Sequence, residues 1–201
     1  MGLSKQQAIG IGILALSLLA STVSNNTTKP PFSNNQRLAS RDNDPDANLI
    51  IISTEDDSKR AIKDINTFRK KSGLSSLNYS TKAYQLATAR AKDMNQYNYF
   101  NFTNPQTKSC ADTMKSGFGF TNEEFLAESN IRYVPVGANV GGSTKTVGEV
   151  SKEWLEDGAN ADPNFLFPQH VAGAVGCDGN KCVFLALNYS GYGKGCGVRK
   201  Q

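Results

Sequence analysis

The chain has one histidine, His170, among its 201 residues, and four cysteines, none of them in a C-x-x-C pair. A structural zinc site draws its ligands from cysteine and histidine, so this chain lacks the set for one. No G-x-S-x-G elbow accompanies His170, which leaves no Ser-His-Asp reading. Gly141-Gly142-Ser143 lacks the Gly-Lys-Ser/Thr ending of a phosphate loop. There is also no block of five or six like charges. Lys and Arg (22) alternate with Asp and Glu (18), for a net charge of +4. Phosphate tracking needs a concentrated basic stripe, so nucleic acid is excluded as a partner. A lone histidine near a strand start reads as a surface or hydrogen-bonded structural residue.

What is present is ordinary globular material, 38% hydrophobic and 20% charged, in a chain long enough for one cored domain. The N-terminus carries a targeting signal. Lys5 supplies the positive region, Ala8 through Leu19 are apolar with only Gly and Ser between, and small residues follow at Ala20, Ser21, Thr22 and Ser24. Residues 1–24 therefore read as a secretory signal peptide cleaved between Ala20 and Ser24. The alternative is an uncleaved signal anchor at the membrane, although the apolar stretch is shorter than the ~20 residues that span a bilayer. A secreted, extracellular chain meets an oxidising compartment, where the four cysteines form two disulfides. Of three possible pairings, Cys177–Cys182 with Cys110–Cys196 is expected, because Cys177 and Cys182 bracket the turn Asp178 to Lys181 and fall opposite one another. Every thiol is then consumed, which removes a catalytic cysteine. N-x-S/T sequons begin at Asn25, Asn26, Asn78, Asn101 and Asn188, and on secretion in a eukaryote Asn78, Asn101 and Asn188 within the domain are candidate glycan sites.

Residues 25–57 are rich in Asn, Ser, Thr, Pro and Asp and read as a flexible linker, with Ile50-Ile51-Ile52 adding an extended segment at the domain edge. The domain follows over 58–197, with a tail at 198–201. Ile62, Ile65 and Phe68 share one stripe of a helix that Gly73 ends. Ser80 caps a second helix whose apolar face is Ala83, Leu86, Ala87, Ala91 and Met94. Thr146-Val147-Gly148-Glu149 has capping-box spacing, and Val147, Val150 and Trp154 then lie on one face of a third helix. Val171 to Cys177 and Cys182 to Tyr189 read as strands joined by a hairpin, and the glycine-rich stretch 191–197 as irregular. Helices first and a hairpin last predict an α+β domain.

Four ordered blocks carry a family resemblance. They are Ile65-Asn66-x-x-Arg69-x-x-x-Gly73-Leu74, the stretch Met94 through Pro105, then Gly137-Ala138-Asn139-Val140 followed by Trp154, and lastly Val175-Gly176-Cys177 with Leu187-Asn188-Tyr189-Ser190. In order and spacing this resembles the CAP superfamily, the SCP-like domains of cysteine-rich secretory, antigen 5 and pathogenesis-related proteins, over roughly residues 58 to 197. The resemblance implies a three-layer α-β-α sandwich with a central antiparallel sheet. It also implies a cleft where two histidines and one or two glutamates hold a divalent metal. Aligned on Tyr99-Phe100-Asn101-Phe102-Thr103, the first histidine is replaced by Phe102. On Gly137-Ala138-Asn139-Val140 the glutamate becomes Ala138, with Glu128-Ser129-Asn130-Ile131 as a second reading of that motif. Counting back from Asn164 to Pro168 puts Ala161 at the second histidine, with His170 beyond it. Glu153, Glu156 or Asp157 falls near a further family glutamate. Asn66, Arg69 and Asn139 match family positions and read as buried hydrogen-bonding residues.

The cleft implied by the resemblance is thus degenerate, and no cofactor is expected. The aromatics Tyr97, Tyr99, Phe100, Phe102, Phe118, Phe120 and Phe125 suit core packing or an apolar groove. The resulting expectation is a secreted, non-catalytic, monomeric extracellular domain. It would bind a sterol or fatty acid, a cell-wall component or a protein. A metal-independent hydrolase or a membrane-anchored surface protein is the alternative.

Overall fold

The computed structural model describes residues 50–133, 144–156 and 163–196. The expected signal peptide and most of the linker lie outside these residues, as do Ala138, Asn139, Asp157 and Ala161.

Helix α1 spans Glu55–Lys71. Its start is fixed by Thr54, whose Oγ1 accepts the Asp57 amide at 3.1 Å. Glu55, Asp56 and Asp57 fill the first turn and Arg69, Lys70 and Lys71 the last, the arrangement that complements the helix dipole. At the other end Gly73 sits at φ +73. The Gly73 amide donates to the Lys70 carbonyl and the Leu74 amide to that of Arg69, which is a Schellman ending. Before the helix, β1 (Ile50–Ile52) pairs in parallel with β4 (Thr144–Thr146), and Ile51 is buried. Residues 50–57, placed in the linker on composition, therefore belong to the fold. The acidic stretch that looked like linker is the first turn of a capped helix.

Helix α2 (Thr81–Gln96) starts at Ser80, whose Oγ accepts the Ala83 amide at 3.2 Å. Ala83, Leu86, Ala87, Ala91 and Met94 are all buried. Helix α3 (Ala111–Met114) leads into a 3-10 turn, Lys115–Phe118. Helix α4 (Val147–Glu156) has the reciprocal capping box: the Thr146 amide donates to Glu149 Oε2 at 2.7 Å, and the Glu149 amide to Thr146 Oγ1 at 3.2 Å. A short helix, α5 (Pro163–Leu166), follows. Among the described residues no helix is long and apolar enough to cross a membrane.

The central sheet has the order β2-β5-β6-β3, with β2 at Asn78–Tyr79, β3 at Phe125–Arg132, β5 at Ala172–Asp178 and β6 at Lys181–Asn188. It is antiparallel except for β2, which runs parallel to β5. Side chains alternate across it. Val175, Phe184 and Ala186 join Ile62, Ile65, Val147, Val150, Trp154 and Phe165 on one face. Ala174, Val183, Leu185 and Leu187 join Leu86, Ala87, Ala91 and Met94 on the other. Each large apolar side chain contributes about 1.5–3 kcal/mol on full burial, so these two layers hold the domain together. The result is an α-β-α sandwich.

The β5–β6 hairpin is tighter than the four-residue turn expected. Asp178 pairs with Lys181, leaving only Gly179 and Asn180 in the loop, and Gly179 takes φ +56. A positive φ at the first of two loop residues is what a II′ turn requires. Cys177 and Cys182 stand opposite one another, Cα atoms 4.0 Å apart, and form one disulfide. The other, Cys110–Cys196, ties the glycine-rich C-terminal stretch to the start of α3.

Candidate functional site

The loop that follows α2, from Tyr97 to Ser109, bears Phe102, and its shape is set from beneath by a buried cation. Arg90 lies on the apolar stripe of α2, a turn before Met94, and is fully buried. Its Nη2 donates to the Phe102 carbonyl at 2.8 Å and the Asn101 carbonyl at 3.3 Å. Its Nη1 donates to Tyr99 Oη at 2.6 Å and pairs with Asp93 at 2.8 Å. Nη2 also pairs with Glu128 Oε1 on β3 at 3.1 Å. Tyr99 Oη in turn donates to Asp93, and Asn104 Nδ2 donates to the other oxygen of that carboxylate at 3.0 Å. Asn104 is itself buried, and its Oδ1 accepts the amides of Gln106 and Thr107, folding the loop back on itself.

Burial and neighbouring charge act together on the ionisable groups of this arrangement. Burial opposes the charge of Arg90, but Glu128 and Tyr99 outweigh it and hold the guanidinium protonated. Burial pushes the Glu128 carboxyl up, against the pull of Arg90. Burial and Asp93 push the Tyr99 phenol up. Above this base the loop presents rings: Phe100 is 45% exposed and Phe102 is half-buried.

The opposite face of β3 carries a second polar cluster. Ser129, buried, accepts from Asn164 Nδ2 of α5 at 2.7 Å. Tyr192 Oη donates to Asn164 Oδ1 at 2.7 Å. The Asn164 carbonyl meets His170 Nδ1 at 2.9 Å. His170 is buried beside the stacked rings of Phe167 and Tyr192, and burial pushes its imidazole down to about 4. It is therefore neutral near pH 7 and acts as a structural hydrogen-bond donor. Arg69, also buried, donates to the carbonyls of Ser75, Phe165 and Phe167, and Asn66 exchanges two hydrogen bonds with the Leu77 backbone. Both join helices to loops, the role their positions suggested.

The sequence-derived site residues fall on different elements or outside the described residues. Phe102 lies on the clamped loop. Glu153 is on the exposed side of α4, paired with Lys145. Ala138, Ala161 and Asp157 are outside the described residues. Glu128-Ser129-Asn130-Ile131, the second reading of the glutamate motif, is a run of β3. Asn188 is fully buried, and its Nδ2 donates to the Phe125 and Tyr192 carbonyls, so it is withdrawn as a glycan site. Arg90 and Asp93 were missed, and Glu128 was named only within that second reading of the glutamate motif. The available signal was an arginine recurring at helical spacing within the alanine-rich stripe, which implies a buried charge and hence a partner.

These residues do not fit a divalent metal. A phenyl ring at Phe102 offers no donor. The nearest carboxylates, Asp93 and Glu128, are taken by Arg90, whose positive charge opposes a second cation below the loop. Among the described residues no three His, Cys, Asp or Glu side chains are grouped to hold a metal.

Comparison with known proteins agrees with this architecture. The model of CAP, the cysteine-rich secretory protein family, matches residues 62–182. The Bacillus subtilis protein YkwD, itself uncharacterized, is 32% identical over 111 residues, which are 53% of this chain and 38% of YkwD. An extracellular SCP-domain protein of Bacillus anthracis superposes with a TM-score of 0.50 at 18% identity, covering 66% of this chain and 40% of that one. An outer surface protein of Borrelia burgdorferi gives a TM-score of 0.48 at 15% identity, covering 68% of this chain and 94% of its own. The chain thus spans about two-fifths of the length of YkwD and of the Bacillus anthracis protein. With half of its residues and more matched in one family model, the chain belongs to the cysteine-rich secretory protein family.

Proposed function

We propose that this protein is a secreted, non-catalytic CAP domain that works by binding, and that its contact surface is the loop bearing Phe100 and Phe102. The observation that carries the reading is the clamp under that loop. Arg90 fixes the backbone at Asn101 and Phe102 while one ring stays exposed and the other half-buried. A loop backbone already held in place favours binding, because little of its conformational entropy is lost when a partner arrives. Two phenyl groups, one exposed and one half-buried, suit an apolar ligand such as a sterol or a fatty acyl chain. Secretion is supported by the N-terminal apolar stretch, by two disulfides and by the extracellular description of the Bacillus anthracis neighbour.

The test is lipid extraction from the purified full chain followed by mass spectrometry, together with titration of a fluorescent sterol and a fluorescent fatty acid. Saturable binding that persists in chelator and weakens at least tenfold in Phe102→Ala is expected. Failure of both probes to bind, with no lipid copurifying, overturns the apolar-ligand reading. Phe102 is only half-buried, so its removal should cost less stability than the ~3–5 kcal/mol of a core phenylalanine.

A further inference from the structure

We infer that Asn101 carries an N-linked glycan, set between the two rings of the clamped loop. The inference rests on the secreted reading above. The structure sorts the three sequons of the domain. Asn188 is closed, since its side chain is fully buried and both ends of the amide are bonded. Asn78 is exposed but sits in β2, its amide bound to Val171, and its sequon ends in Ser80, which caps α2. Asn101 alone of the three is exposed on a loop. Its Oδ1 accepts the Phe102 amide at 2.7 Å, which leaves Nδ2 as the end of the side chain open to modification. Its sequon ends in Thr103, on the same loop.

The chemistry is transfer from a polyprenyl-diphosphate-linked oligosaccharide. Asn101 Nδ2 forms a bond to the anomeric carbon, the bond from that carbon to the diphosphate oxygen breaks, and the amide proton leaves with the lipid diphosphate. Because the Arg90 clamp is made through the backbone carbonyls of Asn101 and Phe102, the sugar adds to the loop without disturbing its base. It shields the exposed ring of Phe100 and limits access to Phe102 to ligands entering beside it.

The full chain is expressed through a eukaryotic secretory pathway and recovered from the medium. It is then treated with peptide:N-glycosidase in heavy-oxygen water and mapped by mass spectrometry. The expected result is Asn101 converted to labelled Asp, with Asn188 unlabelled. Asn101→Gln and Thr103→Ala each lose that label, whereas Asn188→Gln leaves it intact. A secreted chain with its signal removed and Asn101 bare overturns the inference while leaving the secreted reading standing. A chain left in the cytosol with its N-terminus intact overturns both.

Discussion

Arg90 on α2 and Glu128 on β3 form an ion pair of 3.1 Å with both side chains buried, at 0% and 7% exposure. Burying two charges is costly unless every remaining donor and acceptor is met. Here the guanidinium also reaches Asp93, Tyr99 and two loop carbonyls, so the pair serves as the floor of a loop rather than as an isolated bridge.

Replacing Arg90 with Met should leave Glu128 buried without its partner and release the loop. A loss of about 3–5 kcal/mol in unfolding free energy is expected from urea denaturation. The double variant Arg90→Met/Glu128→Met should recover a substantial part of that loss, because the stranded charge is gone. A single variant within about 0.5 kcal/mol of the parent, as for a surface change, contradicts the clamp.

His170 supplies a pH dependence whose sign follows from its burial. Its folded pKa, about 4, lies below the ordinary 6.5, so the folded state binds the proton less readily than the unfolded chain does. The neighbouring charge of Arg69 acts in the same direction. The stability it contributes is complete above pH 6.5 and is lost as pH falls toward 4, amounting to about 3 kcal/mol over that window. Unfolding midpoints measured from pH 7.5 to 4 should therefore fall more steeply for the parent than for His170→Gln. Parallel curves would show that His170 is not buried as described.

Two glycines should respond differently to alanine. A Cβ on Gly176 would lie 2.4 Å from the Thr88 amide nitrogen and 2.5 Å from Thr88 Oγ1, so β5 and α2 must part. Gly176→Ala should cost about 1–3 kcal/mol, the range for overpacking, or prevent folding. A Cβ on Gly191 would meet nothing within 4 Å, and the strain there comes from its φ of +86, so its replacement should cost about 1 kcal/mol. Thermal denaturation of the pair checks the order.

Much of this architecture is readable locally. The apolar stripe of α2, the Thr146–Glu149 capping box and the Gly179 turn each depend on neighbours within one or two turns of chain. Strand β3 does not: FLAESNIR puts Glu128 and Ser129 on opposite faces, and both side chains are buried. A local reading sends such residues to solvent, because their partners, Arg90 and Asn164, lie 38 and 35 positions away. The loop around Phe102 was opaque for the same reason. Its chemistry was read from side chains, whereas its shape comes from a distant guanidinium binding main-chain oxygens.

The order of strands in the sheet also has a kinetic meaning. The central pair, β5 and β6, follows in the chain both of the strands that flank it, β2 and β3. Helix α2, which packs chiefly on β5 and β6, thus has no sheet to settle on until those two strands have been made. The hairpin itself closes over two residues and is stapled by Cys177–Cys182, so it is the local event on which slower, long-range pairings wait. Folding of the domain should accordingly be held back until β6 has been made, so that the earlier helices wait, unsheltered, on the strands that follow them.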